Sequence, residues 1–411
     1  MKAVGIIVEY NPFHNGHTYH VEQARQRSHA DVVIAIMSGH FLQRGEPALV
    51  NKWARTEMAL AAGIDIVIEL PYTFATQKAE IFANGGVSLL HALDVDYLCF
   101  GSEEGDILPF YELVSFYEAN KHKFDELIKA EIKKGISYPK ATAHAFHHLR
   151  NEPLLDLSLP NNILGFHYVK AIKEQKAPIQ PFTIARTKAN YHDTSPRDAF
   201  IASATSIRHQ IDKTNQLQAI QAYVPNTTLS VLQSELKKRG QFMNWEKLFP
   251  FLKYKLLTSS LDELQMIYEM EEGIESRLIS LVKDSTSFEH FLQRVKTKRF
   301  TWTRLQRILT HVVTNTKKPL MLEAHNKRKA NYIRLLGMSP TGQAYLNKVK
   351  KQLQIPIISK YSKRYEQLLK TDIQATYTYA SGFPGPVREQ LMKMEYTMHP
   401  IIYDFGGNER K

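Results

Sequence analysis

The sequence predicts an α/β protein, a Rossmann-like doubly wound parallel sheet followed by a mainly α-helical C-terminal domain. Two patterns predict this. Through the first 220 or so residues, short apolar runs alternate with helical patterns. Continuous runs of this kind suit strands covered on both faces, which requires crossover helices. Beyond Val224-Pro225 the strand runs stop and helical periodicity takes over, as in "LDELQMIYEMEEGIESRLISLV" and "FTWTRLQRILTHVV".

The elements follow in order. "AVGIIV" (3–8) is a first strand and 17–27 its helix; "DVVIAIM" (31–37) leads to a helix at 51–62, and "DIVIELP" (65–71) to one at 78–93. "VDYLCFG" (95–101) is a fourth strand. After it, 106–150 reads as a helical insertion, 162–174 as a crossover helix and "IQPFTIA" (179–185) as a fifth strand. Regular strand–helix alternation is the mark of a doubly wound domain. A boundary near 220–230 divides the chain into a strand-and-helix part, 1–224, and a basic helical part, 225–411.

Composition bounds the function. The 411 residues, 43% of them hydrophobic, suffice for two or three domains. No run of eighteen apolar residues exists and the first residues do not resemble a signal peptide, so a cytoplasmic location without a membrane partner is expected. The single Cys99 excludes an internal disulfide. Net charge is +12, but residues 1–222 hold 22 basic against 24 acidic residues and 223–411 hold 31 against 17. Between Lys296 and Arg364 stand 17 basic residues and one acid, Glu323, interleaved with Trp302, Tyr332, Tyr345 and Tyr361. Such one-sided density points to a polyanion.

"EYNPFHNGHTYH", from Glu9 to His20, follows the first strand. In an open α/β sheet, ligands collect beyond the carboxyl ends of the strands. Gly16 permits close backbone approach, and a helix starting at His17 would offer free N–H groups to an anion. His14 and His17 lack the i, i+4 spacing and glutamate of the zinc-binding helix, which disfavours a metal pair. His14 could alternatively serve as a buried helix cap. A second candidate, "IASATSIRHQI" (201–211), places Ser203 and Thr205 at another helix start with Arg208 beside them, suited to phosphate oxygens. Gly101 after the fourth strand, Asn162 at a helix start and Arg186 after the fifth strand are further candidates. Ser38, Gly39 and Arg44 join the same rim. No nucleophile triad is recognisable by spacing.

The histidine motif after strand one resembles that of the nucleotidyltransferase superfamily sharing its signature with class I aminoacyl-tRNA synthetases. With "MSGHFLQRGEPA", "DIVIELP", "FGSE", "LPNNILG", "SATSIR", "KRFTWTRLQRILTH" and "RLLGMSPTG", the whole chain resembles the tRNA(Met) cytidine acetate ligase family. That resemblance implies activation of acetate by ATP as acetyl adenylate, then acetylation of the wobble cytidine N4 of elongator tRNA(Met). It implies ATP with Mg2+, with few if any protein ligands to the metal. By the same resemblance His14, His17, Ser203, Thr205 and Arg208 handle the phosphates. ATP contacts fall on Ile7, Val8, Glu9, Tyr10, Asn11, Pro12, Phe13, His14, Asn15, Gly16, His17, Thr18, Tyr19 and His20, and on Gly101, Asn162, Arg186 and Thr187. From the basic stretch, Lys296, Lys298, Arg299, Arg304, Arg307, Lys327, Arg328 and Lys329 are the expected tRNA contacts. Two other readings remain open from the residues alone: a metabolite adenylyltransferase of the same superfamily, and an ATP-binding RNA-binding protein without chemistry.

Overall fold

A computed structural model describes residues 1–136, 138–149, 155–186, 200, 202–214, 216–326 and 328–404. Five strands appear where the apolar runs predict them: Ala3–Val8 (β1), Val32–Ser38 (β2), Ile66–Leu70 (β3), Tyr97–Ser102 (β4) and Gln180–Ala185 (β5). They are mutually parallel and ordered β5-β4-β1-β2-β3. The chain therefore winds outward from β1 in one direction through β3, then returns to the other side of β1 at β4. The switch point lies between β1 and β4, where an open sheet leaves a crevice at its carboxyl edge.

Alternation along each strand fills two cores. Ala3, Ile34, Ile36, Ile66, Ile68, Leu98 and Phe100 pack with the helices Ala79–Ala92 and Pro160–Glu174 on one face. Val4, Ile6, Val33, Ala35, Met37 and Val67 pack on the other with Asn15–Ser28, Lys52–Ala61 and Ala204–Thr214. Period-two side chains make both faces apolar, as a sheet covered on both sides needs. The insertion supplies Leu108–Ala119, Lys121–Lys133 and Tyr138–Leu149.

The C-terminal half is mainly helical, and its core, including Trp245, Leu252, Leu278, Phe291, Leu309 and Tyr379, takes in Phe41 and Tyr72 from the first half. The expectation that strands end near Val224 fails, because Ile333–Met338 (β6) extends the same sheet antiparallel to β3. Ile357–Ile358 (β7) and Ile401–Ile402 (β8) pair in turn with β6. A buried ionic cluster ties the halves together at this seam. Lys52 Nζ lies 2.7 Å from Glu69 Oε2 on β3 and 2.8 Å from Glu395 Oε2 on a C-terminal helix, all three essentially inaccessible. Arg334 on β6 donates to the backbone oxygen of Glu395 at 3.2 Å. Buried charges need such partners, since removing one leaves another uncompensated.

Candidate active site

The site is built on the turn after β1. Tyr10 adopts a left-handed φ of 52°, and the chain enters the helix Asn15–Ser28 through His14, its N-cap. His14 Nδ1 accepts from the Gly16 N–H at 3.1 Å, and His17 Nδ1 accepts from the His14 N–H at 3.2 Å. With both Nδ1 atoms acting as acceptors, each neutral imidazole carries its proton on Nε2. The rings stack at 3.6 Å with an interplanar angle of 25°.

Burial, then the charges of Arg186 and Arg208, push His14 down to about 3. Burial, followed by His14, His20 and Arg186, holds His17 well below the ordinary imidazole value. At neutral pH the pair thus presents two uncharged N–H donors. This arrangement opposes a metal pair, because a ligand nitrogen must be unprotonated and free.

One expectation is corrected here. The helix starts at Asn15 rather than His17, and its first N–H groups are not free. The Asn15 N–H donates to Tyr223 O at 2.9 Å, the Gly16 N–H to His14 Nδ1, and the His17 N–H to His14 O at 2.8 Å. The imidazoles, rather than the backbone, supply donors at this end.

A cavity of about 240 Å3 opens at the switch point. Of the residues singled out from sequence, Ile7, Val8, Glu9, Tyr10, Asn11, His14, Gly16, His17, Tyr19, His20, Arg44, Gly101, Arg186, Ser203 and Arg208 line it. The two motifs, nearly 200 residues apart, therefore meet across one space. Ser203 Oγ accepts from the Ser206 N–H at 3.1 Å and so caps its helix. Arg208 donates to Asn11 O at 2.9 Å and pairs with Glu46 at 2.8 Å, joining the motifs directly. At Gly101 an added Cβ would come 3.3 Å from Cγ of Arg186, so the missing side chain leaves that arginine its place on the wall.

Other candidates lie outside the wall. Phe13 is fully buried in the core, and the Asn15 amide donates to Phe200 O and Ala222 O. Pro12, Thr18 and Thr205 do not line the cavity. Asn162 is also turned away: its Oδ1 accepts from the N–H groups of Glu103 and Glu104 at 3.1 and 3.2 Å, while its neighbour Asn161 reaches the cavity. Ser38 and Gly39 serve from behind, their carbonyls gripped by the buried Arg55, which also donates to Glu9 O at 2.7 Å. Thr187 lies outside the described residues. Sequence reasoning missed Gln43, Glu46, Asn161 and Tyr168. The first two sit in the "FLQRGEP" block already placed on this rim, so their position was readable but their roles were not.

The basic stretch is less open than its composition implies. Arg299 and Arg304 pair with Glu272 and Glu271, and Arg307 meets both oxygens of Glu269 at 3.1 Å. Arg328 pairs with Glu174 at 3.2 Å. Lys296, Lys298 and Lys329 are exposed, with Lys296 standing over the Trp302 ring at 5.9 Å. Tyr332 and Tyr345 are buried, which removes them as stacking surfaces. Lys327 lies outside the described residues. Among the described residues no helix is long and apolar enough to cross a membrane.

Comparison with known proteins agrees with this geometry. Residues 1–394 match the family described as HIGH Nucleotidyl Transferase. A tRNA(Met) cytidine acetate ligase of Halalkalibacterium halodurans is 49% identical over 417 residues, covering all of both chains. This chain belongs to the tRNA(Met) cytidine acetate ligase family of HIGH nucleotidyl transferases. The ligase of Bacillus subtilis is 48% identical over 98% of each chain. The crystal structure of Thermotoga maritima TmcAL superimposes with a TM-score of 0.91 at 32% identity, covering 98% of this chain and 100% of the other. The same Thermotoga protein bound with alpha-thio ATP gives 0.89 at 31% identity over the same shares.

Proposed function

We propose that the chain activates acetate with ATP and acetylates N4 of the wobble cytidine of elongator tRNA(Met). The observation that carries this reading is the cavity in which the stacked His14 and His17 face Ser203 and Arg208 at the switch point. In the first step an acetate oxygen attacks the α-phosphorus and pyrophosphate leaves. The Nε2–H donors of His14 and His17, with Arg186 and Arg208, stabilise the charge that develops, and because they are held in place beforehand little reorganisation is needed. Orphan buried atoms fit a nucleotide here: Tyr10 Oη, Asn11 Nδ2 and His20 Nε2 have no hydrogen-bond partner among the described residues, and all three residues line the cavity.

Mg2+ would neutralise phosphate charge. Among the described residues no three His, Cys, Asp or Glu side chains gather as a metal site. In the second step the cytidine amine attacks the acetyl carbonyl and AMP leaves.

Residues 225–411 are assigned as the tRNA-binding part, since a small substrate does not require their charge. Docking rests on the exposed lysines, Lys296, Lys298 and Lys329, ahead of the paired arginines. Incubation with ATP, labelled acetate and bulk tRNA tests the reading. Label in RNA that requires ATP supports it, and absence of label from RNA overturns it.

A further inference from the structure

Acetyl transfer to cytidine needs a proton acceptor that the adenylyl step does not. The N4 lone pair is delocalised into the ring, so the amine becomes an effective nucleophile only as its proton is withdrawn. Few groups on the cavity wall can accept one. His14 and His17 carry protons on Nε2 and have their Nδ1 lone pairs occupied by backbone N–H groups. Glu46 is bound to Arg208 at 2.8 Å.

Glu9 differs from all of these. It stands just past the carboxyl end of β1 and lines the cavity, and its Oε1 is fixed by the Gln43 N–H at 2.7 Å. Its backbone oxygen accepts from Arg55, which anchors the residue at the head of the turn. Burial raises its proton affinity, opposed by the Gln43 hydrogen bond and by Arg44 and Arg208 and aided by Glu46.

We propose that Glu9 is the general base of the second step, taking the N4 proton of cytidine as the acetyl group is transferred. The proposal rests on the reaction assigned above. As the N–C bond forms, the N4–H bonding electrons stay on nitrogen and the proton passes to Glu9 Oε2. The bond from the acetyl carbon to the phosphate oxygen breaks with its electron pair on AMP. Glu9 then returns the proton to water. His20 is the rival acceptor, since its Nε2 has no hydrogen-bond partner among the described residues and it lines the same cavity. Burial and Arg186 depress it to about 4, which makes it the weaker base at its site.

The test uses the full chain and two partial reactions. One is acetate-dependent ATP–pyrophosphate exchange; the other is single-turnover transfer from synthetic acetyl adenylate to unmodified tRNA. In Glu9→Gln, transfer from synthetic acetyl adenylate should fall by about 10²- to 10⁴-fold, a loss well beyond any fall in acetate-dependent exchange. Glu9→Asp, which keeps a carboxylate, should transfer faster than Glu9→Gln. Undiminished transfer in Glu9→Gln overturns the proposal, as does an equal fall in both reactions or a loss seen only in His20→Asn. If the wild type itself moves no acetyl group to RNA, the reaction assignment fails, and the inference fails with it.

Discussion

Replacing His17 by alanine separates two jobs that the structure gives one side chain. The first is local: Nδ1 of His17 accepts the His14 N–H at 3.2 Å, half of a reciprocal capping arrangement on a 14-residue helix. Losing it should cost about 1 kcal/mol. For a chain this long that lowers Tm by only about 2–4 °C or less. The second job is the Nε2–H donor on the cavity wall. Removing one preorganised donor to developing charge costs about 10²–10³ in rate, or about 2.7–4 kcal/mol.

His17→Ala should therefore lose activation far beyond what its stability loss explains. Glutamine at this position can accept from the cap N–H as in a capping box but lacks a donor in the imidazole position. His17→Gln should then recover Tm without recovering rate. The assay is acetate-dependent ATP–pyrophosphate exchange at saturating ATP, with thermal unfolding in parallel. Normal exchange in His17→Ala, or recovery of both quantities in His17→Gln, would refute the assignment.

Three further outcomes follow from the same geometry. Glu395→Ala strips Lys52 of its 2.8 Å partner in a fully buried setting and should destabilise the chain by about 3–5 kcal/mol in urea unfolding. His167 and His311 are buried, and burial pushes them down to about 3 and about 4. Because their folded values lie below the unfolded one, the unfolded state binds more protons in acid. Stability is complete above about pH 6.5 and falls by about 1 kcal/mol per histidine on going to pH 5.5. Glu69, raised by burial to about 7, works in the opposite direction. His167→Leu should remove its share of the difference between unfolding midpoints at pH 5.5 and 7.5. On the basic face, Arg307→Ala should scarcely alter tRNA affinity, since its guanidinium is engaged by Glu269. The triple Lys296, Lys298 and Lys329 to alanine variant should weaken binding and reduce the salt slope by about 1 for each phosphate no longer neutralised.

The catalytic sheet was legible because its first five strands are largely apolar runs alternating with helical patterns, so that even Glu69 within β3 did not hide them. β6 was not, because its segment "IRLLGM" carries Arg334 and stands in a stretch of helical periodicity with no strand–helix alternation around it. The partner of Arg334 is Glu395, 61 residues later, a pairing that local sequence does not announce. The histidine pair was found in the right place but for a partly wrong reason: caps and N–H acceptors depend on ring orientation, which spacing does not encode. Asn162 and Asn161 show the same limit, since adjacent amides at a helix start face different ways. The basic stretch misled by counting. Arg299, Arg304 and Arg307 meet glutamates 27 to 38 positions earlier in the chain and Arg328 meets one 154 positions earlier, so local composition recorded a surplus that the fold partly neutralises.

The most direct measurement is nucleoside analysis by mass spectrometry of unmodified elongator tRNA(Met) treated with the protein, ATP and isotopically labelled acetate. The expected product is labelled N4-acetylcytidine at the wobble position, formed only with ATP and lost in His17→Ala. Labelled acetate that never appears in the nucleoside, while ATP is still cleaved to AMP and pyrophosphate, would contradict the assigned reaction.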